Sequence, residues 1–386
     1  MSSCFEPMSD LIPGLPEDVA RECLIRVGFD QLPTVRRISR QWREEVESPD
    51  YSRLRRAEGL SRTVLAMVQA QPEHVEQGPA QKHSSASTAA NGGGPANKYR
   101  MVLLDPVEGR WAPLPVLPGP TGSLPLFCQV AAVDVAQGRK QLVVVGGWDP
   151  ESWAPTDSVY VYDFLSGTWR RGAPMPGPRR SFFATAAVGG TVFVAGGHDE
   201  EKNALRSALA YDPESDSWTA LPDMAEERDE PRGLCVGGKF LVVGGDPTPA
   251  QGRFAGSVEA FDPATSTWSP VQEGVLQDGA CPRTCCVAPG EERMYMLRDG
   301  NLVARDGGAS AAWRTVASVP EDARTASTVS AIPDGRVVVI GSGCHGGDQT
   351  VYMLRDDEAG KPASWLRAPA PPEFSGHVQA ACFLQI

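Results

Sequence analysis

Six tryptophans, Trp111, Trp169, Trp218, Trp268, Trp313 and Trp365, follow one another at steps of 58, 49, 50, 45 and 52 residues. A di-glycine keeps the same spacing at Gly146-Gly147, Gly196-Gly197 and Gly244-Gly245, with 50 and 48 residues between pairs. The related Gly341-Ser342-Gly343 lies 97 residues further on, close to two periods. A recurring unit of about 50 residues with strand-like composition predicts a radial β-array, one four-stranded blade per repeat. Such an array offers a binding face more readily than a reaction centre.

The repeats align strand by strand. The second has strands at 127–135, 141–145 and 159–162 before the strand of Trp169, and the third has 182–188, 191–195 and 208–211 before Trp218. The fourth uses 233–236, 240–243 and 258–261 before Trp268, and the sixth uses 328–332, 337–340 and 351–354 before Trp365. The fifth is degraded, because the run 293–297 lacks the di-glycine although Trp313 remains. The first repeat supplies only three strands (63–68, 99–104 and that of Trp111), while the apolar run from His377 to Leu384 resembles an inner strand. We therefore expect that run to complete the first blade and close a six-bladed β-propeller, which removes exposed sheet edges. Each Trp should fill the space between neighbouring blades, and the glycines should let the chain turn where a Cβ would clash.

A chain of 386 residues leaves a short remainder in front of six such repeats, rich in Arg and Glu and poor in Gly. We divide it into a tail (1–10), a helical domain (11–59) and the propeller (60–386), with a Ser/Ala/Gly-rich loop at 71–98 that has no periodicity and reads as flexible. In the helical domain, Pro16-Glu17-Asp18 forms a suitable first turn, followed by an apolar stripe of Val19, Ala20, Cys23, Leu24 and Val27 ending at Gly28. Val35, Ile38, Trp42 and Val46 suggest one further helix, stopped near Ser48-Pro49, whose outer face carries Arg36, Arg37, Arg40 and Arg43. Two short helices bury too little surface to stand alone, so a partner is expected.

Composition narrows the function. A net charge of −12 argues against a nucleic-acid partner, which needs clustered Lys and Arg. With no run of eighteen apolar residues, we expect no membrane partner, and Met1–Asp10 lacks the layout of a secretory signal. Nine cysteines, several inside strand-like runs and none in CxxC spacing, suggest reduced thiols and a cytosolic or nuclear protein. Cys344-His345 is a poor nucleophile–base pair, because adjacent side chains in a strand point apart. Cys281, Cys285 and Cys286 lack zinc spacing, and neither Gly92-Gly93-Gly94 nor Gly189-Gly190 is followed by the Gly-Lys-Ser/Thr of a phosphate loop. No cofactor, metal or enzymatic activity is expected.

Leu11-Ile12-Pro13-Gly14-Leu15-Pro16-Glu17-Asp18-Val19-Ala20, continued by Cys23-Leu24, Ser39-Arg40-Gln41-Trp42-Arg43 and Ser48-Pro49, resembles an F-box. The repeats, with Gly-Gly, Tyr-Asp and Trp at fixed offsets, resemble kelch repeats, and the whole is similar to plant F-box/kelch-repeat proteins. The resemblance implies a non-catalytic substrate receptor of a Skp–cullin–F-box ubiquitin ligase. The F-box would dock on a Skp-type adaptor, and through it a cullin, while the propeller holds the protein to be degraded. By match to the motif, Leu11, Ile12, Pro13, Leu15, Pro16, Val19, Ala20, Leu24 and Trp42 would form the adaptor-facing or core surface of the F-box. The same resemblance suggests a phenylpropanoid enzyme or a transcriptional response regulator as target.

The loops that join second to third strands and those that lead into inner strands share one face. The lead-in loops carry Arg179, Arg180, Arg232, Arg283 and Arg324, and the others carry Trp148, Trp153 and His198. A ring of arginines around the channel mouth suits an acidic or phosphorylated segment, and exposed aromatics suit an interface anchor. Asp229, Glu230 and Asp322 offer the arginines an alternative, bridging neighbouring blades. Two rival functions follow from the same body, a kelch scaffold uncoupled from any ligase and a catalytic propeller.

Overall fold

The computed structural model describes residues 10–71, 98–119, 121–277, 279–288, 290–308, 311–332, 335–355 and 363–386. The tail up to position 9 and positions 72–97 of the expected loop lie outside them.

Six four-stranded antiparallel sheets form the body, each with its strands in radial order. Blade two runs Gln129–Val135, Arg139–Val145, Val159–Asp163 and Thr168–Gly172 from channel to rim. Blade three runs Ala184–Val188, Thr191–Ala195, Ala208–Asp212 and Ser217–Leu221, and blade four Arg232–Val236, Lys239–Val243, Val258–Asp262 and Thr267–Trp268. In blade one Val378–Gln385 is the inner strand, paired with Thr63–Ala70 so that Leu65 faces Phe383. The ring therefore closes as expected, and a strand that would otherwise be an open edge gains a full ladder.

The tryptophans show how neighbouring blades are tied. Each donates its indole N–H to a carbonyl at the end of the preceding blade. Trp169 reaches Pro115 O (2.7 Å), Trp218 Ala173 O (2.9 Å), Trp268 Pro222 O (2.7 Å), Trp313 Val275 O (2.8 Å) and Trp365 Ser318 O (2.7 Å). Trp111 completes the circle on Pro369 O at 3.0 Å. An apolar ring packed on one blade and a polar handle on the next explains why Trp recurs here rather than Phe.

The di-glycines serve two contacts. A Cβ on Gly197 would lie 2.3 Å from Ser181 O in its own blade, and one on Gly196 would lie 2.5 Å from Arg228 O in the next. Both have φ near +70 to +80° (67° and 80°), which side chains disfavour. Blade five dispenses with this device. Its second and third strands, Met294–Arg298 and Asn301–Arg305, are joined by the two-residue turn Asp299-Gly300, both at positive φ. Its inner strand shrinks to Cys286–Val287, yet the Trp313 bond persists.

The head departs from expectation. Beside α1 (Glu17–Ile25), the single helix expected through Val46 is two, α2 (Leu32–Val35) and α3 (Arg40–Val46), and a further helix, α4 (Pro49–Ala57), follows. The break arises because Ser39 is extended and its Oγ caps α3 by accepting from Trp42 N at 3.0 Å. Ser48 caps α4 in the same way, so Pro49 opens a helix instead of ending one. Leu24, Ile25, Leu32, Val35, Val46 and Tyr51 form the core of the head. Ser52 Oγ lies 3.5 Å from Gly138 O, Pro33 packs on Gly167, and Leu165 joins the head's cluster. These contacts fall on first-to-second and third-to-fourth strand turns. The head thus sits under blade two, on the face opposite the di-glycine loops.

Candidate partner-binding surfaces

The head divides its motif residues between core and surface. Ala20 and Leu24 are buried, at 0% and 1% exposure, and so face inward rather than toward an adaptor. Trp42 is half-buried, its Nε1 donating to Leu11 O at 2.6 Å, which folds the 11–16 segment back over α3. Leu11 and Ile12 are half-buried, and Pro13 and Pro16 are exposed. Leu15 and Val19, four residues apart, stand out at 36% and 42% exposure, and Ile38 at 58%. A groove of about 340 Å³ runs beside Leu11 and Leu15, edged by Glu17, Glu44 and Glu45. Arg36 pairs with Glu47, and Arg40 with Glu44 at 2.8 Å, so part of the basic face is internally balanced.

On the opposite face the five arginines do not form a uniform ring. Arg180 is 1% exposed, with Nη1 donating to Gly196 O (3.2 Å) and Ser207 O (3.0 Å) and Nη2 to Ser207 Oγ (2.9 Å). Burial lowers its pKa to about 10. It fastens the di-glycine loop of blade three and does not stand on the surface. Arg324 is exposed but donates back to Val319 O at 2.8 Å, and Arg283, also exposed, lies 3.4 Å from Glu230. Arg179 is exposed, and Arg232 is half-buried at the head of its inner strand.

The aromatics are also redistributed. Trp153 is 58% exposed at φ 55°, as an interface anchor requires. Trp148 is half-buried instead of exposed, its indole N–H on Ser181 Oγ at 2.7 Å. It is surrounded by two residues that strand reading had assigned to inner strands, Phe127 and Phe182. Both sit just before those strands at positive φ (55° and 53°). Phe127 lies 5.9 Å from Trp148 and 5.5 Å from Phe182, and is 43% exposed. Phe183 beside it is buried at 3%, so the Phe182-Phe183 pair is divided between this cluster and the core.

His198 is buried next to this cluster. Its Nδ1 lies 2.8 Å from Asp229 Oδ1 and its Nε2 2.9 Å from Lys202 Nζ. An ammonium only donates, so Nε2 accepts and the ring proton resides on Nδ1, donating to Asp229. Lys202 also lies 5.6 Å over the Trp148 ring. The chain of bonds orients Lys202 across the aromatic ledge. Among the described residues no group of three His, Cys, Asp or Glu could hold a metal.

Sequence reasoning missed Arg228 and Glu259, the most buried ion pair among the described residues. They are 1% and 0% exposed and 3.2 Å apart, and Arg228 adds Gly244 O at 2.7 Å and Ser257 Oγ at 3.0 Å. Arg228 holds the di-glycine loop of blade four as Arg180 holds that of blade three.

Residues 84–297 match the KLHDC2/KLHL20/DRC7 Kelch-repeats domain, and residues 12–53 match the F-box domain. The F-box/kelch-repeat protein At1g80440 of Arabidopsis thaliana is 38% identical over 384 residues, covering 98% of this chain and 100% of that protein. From the same plant, At1g15670 is 37% identical over 380 residues (98% and 100%), and SKIP20 is 37% identical over 292 residues (69% and 68%). With a helical head that leaves apolar side chains outside and a closed six-bladed body, the chain belongs to the F-box/kelch-repeat family.

Proposed function

We propose that this chain is a non-catalytic target receptor of a Skp–cullin–F-box ubiquitin ligase. The observation that carries the reading is the placement of two unlike surfaces at opposite ends. Leu15, Val19 and Ile38 are exposed on a head seated below blade two, while Trp153, Phe127 and Arg232 lie on the far face. A Skp-type adaptor would cover the first, bringing the cullin with it, and a protein target would occupy the second. Large exposed apolar side chains on a small domain are what a partner helix buries, at about 25 cal/mol per Å². A phenylpropanoid enzyme or a response regulator is the proposed target class. The exposed thiols of Cys23, Cys235, Cys281 and Cys344 suit the reducing cytosol or nucleus.

Co-purification with a Skp-type protein is the test. The tagged chain should retain the adaptor, and Leu15→Ala with Pro16→Ala should reduce retention at least ~10-fold, about 1.4 kcal/mol. No retention by the unmodified chain, or equal retention by the variant, would overturn the adaptor assignment.

A further inference from the structure

The two loops that meet at the aromatic ledge carry charge of one sign. Trp148–Pro155 joins the second and third strands of blade two, and His198–Ala204 does the same in blade three. They come together at Trp148, which bonds Ser181 of blade three and lies under the Lys202 ammonium. Between them they hold five carboxylates, Asp149, Glu151, Asp199, Glu200 and Glu201, against the single cation Lys202. Asp149 and Asp199 are tied into their own loops, accepting from Ser152 N at 2.7 Å and Asn203 N at 2.8 Å. The bonds from Ser152 hold the Asp149 carboxyl below the usual carboxylate range, so it keeps its charge. Glu151, Glu200 and Glu201 are exposed, and among the described residues no cation pairs with them.

The apolar part of the same surface is open. Trp153 and Phe127 are both among the exposed large apolar side chains of the molecule. Phe127 and Phe182 stand at the same corner of successive blades at positive φ, a conformation that a bulky residue enters at a cost. Two blades in succession therefore turn a ring toward this face at a position glycine would hold with less strain. The molecule itself shows how such a ring meets a cation. Lys202 places its ammonium 5.6 Å over Trp148 while donating to His198. Among the described residues no cation stacks on Trp153 or Phe127.

We propose that the ledge of Phe127, Trp148 and Phe182, with Trp153 on the same loop, docks an arginine-bearing segment of the captured protein. A guanidinium stacks its plane on an aromatic face while its edge donates to carboxylates, a combination that an acidic or neutral side chain cannot make. Glu151, Glu200 and Glu201 provide those carboxylates and a field that draws a basic segment in. Arg179, exposed on the lead-in loop of blade three, opposes that field. The proposal rests on the reading of this face as the one that holds the target.

The test uses the full chain alone and three end-blocked peptides, Ac-Ala-Arg-Leu-Arg-Ala-NH2 and its Gln and Glu counterparts, titrated by calorimetry. The Arg peptide should bind at least ~10-fold more tightly than the Gln peptide, and the Glu peptide more weakly still. Trp153→Ala should weaken the Arg peptide about 5-fold, and Glu200→Gln with Glu201→Gln should weaken it about as much while flattening its salt dependence. All three side chains are exposed, so these variants should melt as the unmodified chain does. Arg179→Gln should tighten binding. Asp18→Asn with Glu58→Gln removes the same charge from exposed positions of the head and should leave binding unchanged. No binding of the Arg peptide, equal binding of the Glu peptide, undiminished binding by the Trp153 or the Glu200 variant, or an equal loss in the head variant would overturn the arginine site. Because neither adaptor nor target is present, a chain that takes the Arg peptide but retains no Skp-type protein would sink the receptor reading alone.

Discussion

In the head, Tyr51 Oη donates to Leu24 O at 2.9 Å and Arg55 to Ile25 O and Val27 O, both at 2.6 Å, closing the open end of α1. Six side chains then make its core, and Leu15, Val19 and Ile38 stay outside. In the propeller, six clusters fill the spaces between blades, and polar groups are drawn inside as well, Arg180, Arg228 and Glu259 among them. The head is therefore a minimal core with apolar surface left over. The propeller is a large core that consumes even its charges. A conspicuous residue on the head is more apt to meet a partner, whereas one on the propeller must first be shown not to fasten a loop.

Four variants separate the two regimes, measured as changes in unfolding free energy by urea denaturation. The largest effect belongs to the propeller. Glu259→Gln leaves the Arg228 guanidinium buried without its carboxylate and should cost about 3 kcal/mol. Glu226→Gln, on a side chain 44% exposed that also meets Arg228, should cost less than ~1 kcal/mol. Equal losses would mean that burial does not set the value of these pairs. Next comes Ser39→Ala, which removes the α3 cap and should cost about 1 kcal/mol. Hydrogen exchange should locate that loss in residues 10–60 and leave the blades protected. Smallest is Leu15→Ser with Val19→Ser, which should stay within ~0.5 kcal/mol. A larger loss would show that these side chains support the fold and are not a spare surface.

Much of the body was legible because its signals are periodic. Trp spacing, di-glycines and the apolar run near residue 380 each follow from the geometry of one repeated blade, and together they fix blade number and closure. The rim was less legible, for a physical reason. Whether an arginine in a loop is free depends on carbonyls and acids that the fold brings from 16 to 31 positions away, as with Arg180 and Gly196 or Arg228 and Glu259. Arg228 sits in Glu226-Glu227-Arg228-Asp229-Glu230, which reads as solvated surface yet is pinned inside. The head's helix count failed for the opposite reason. Its determinants are local, but a serine hydroxyl decides whether the apolar steps from Val35 to Val46 form one helix or two.

Blade one joins Thr63 to Gln385, so two segments at far ends of the sequence must meet before the wheel is whole. During synthesis the head and its exposed leucine are complete while most of the ring is still unmade. Until the late segment arrives, residues 63–70 present a bare hydrogen-bonding edge. A chain interrupted late would thus carry its helical head on an open body whose first blade lacks its inner strand.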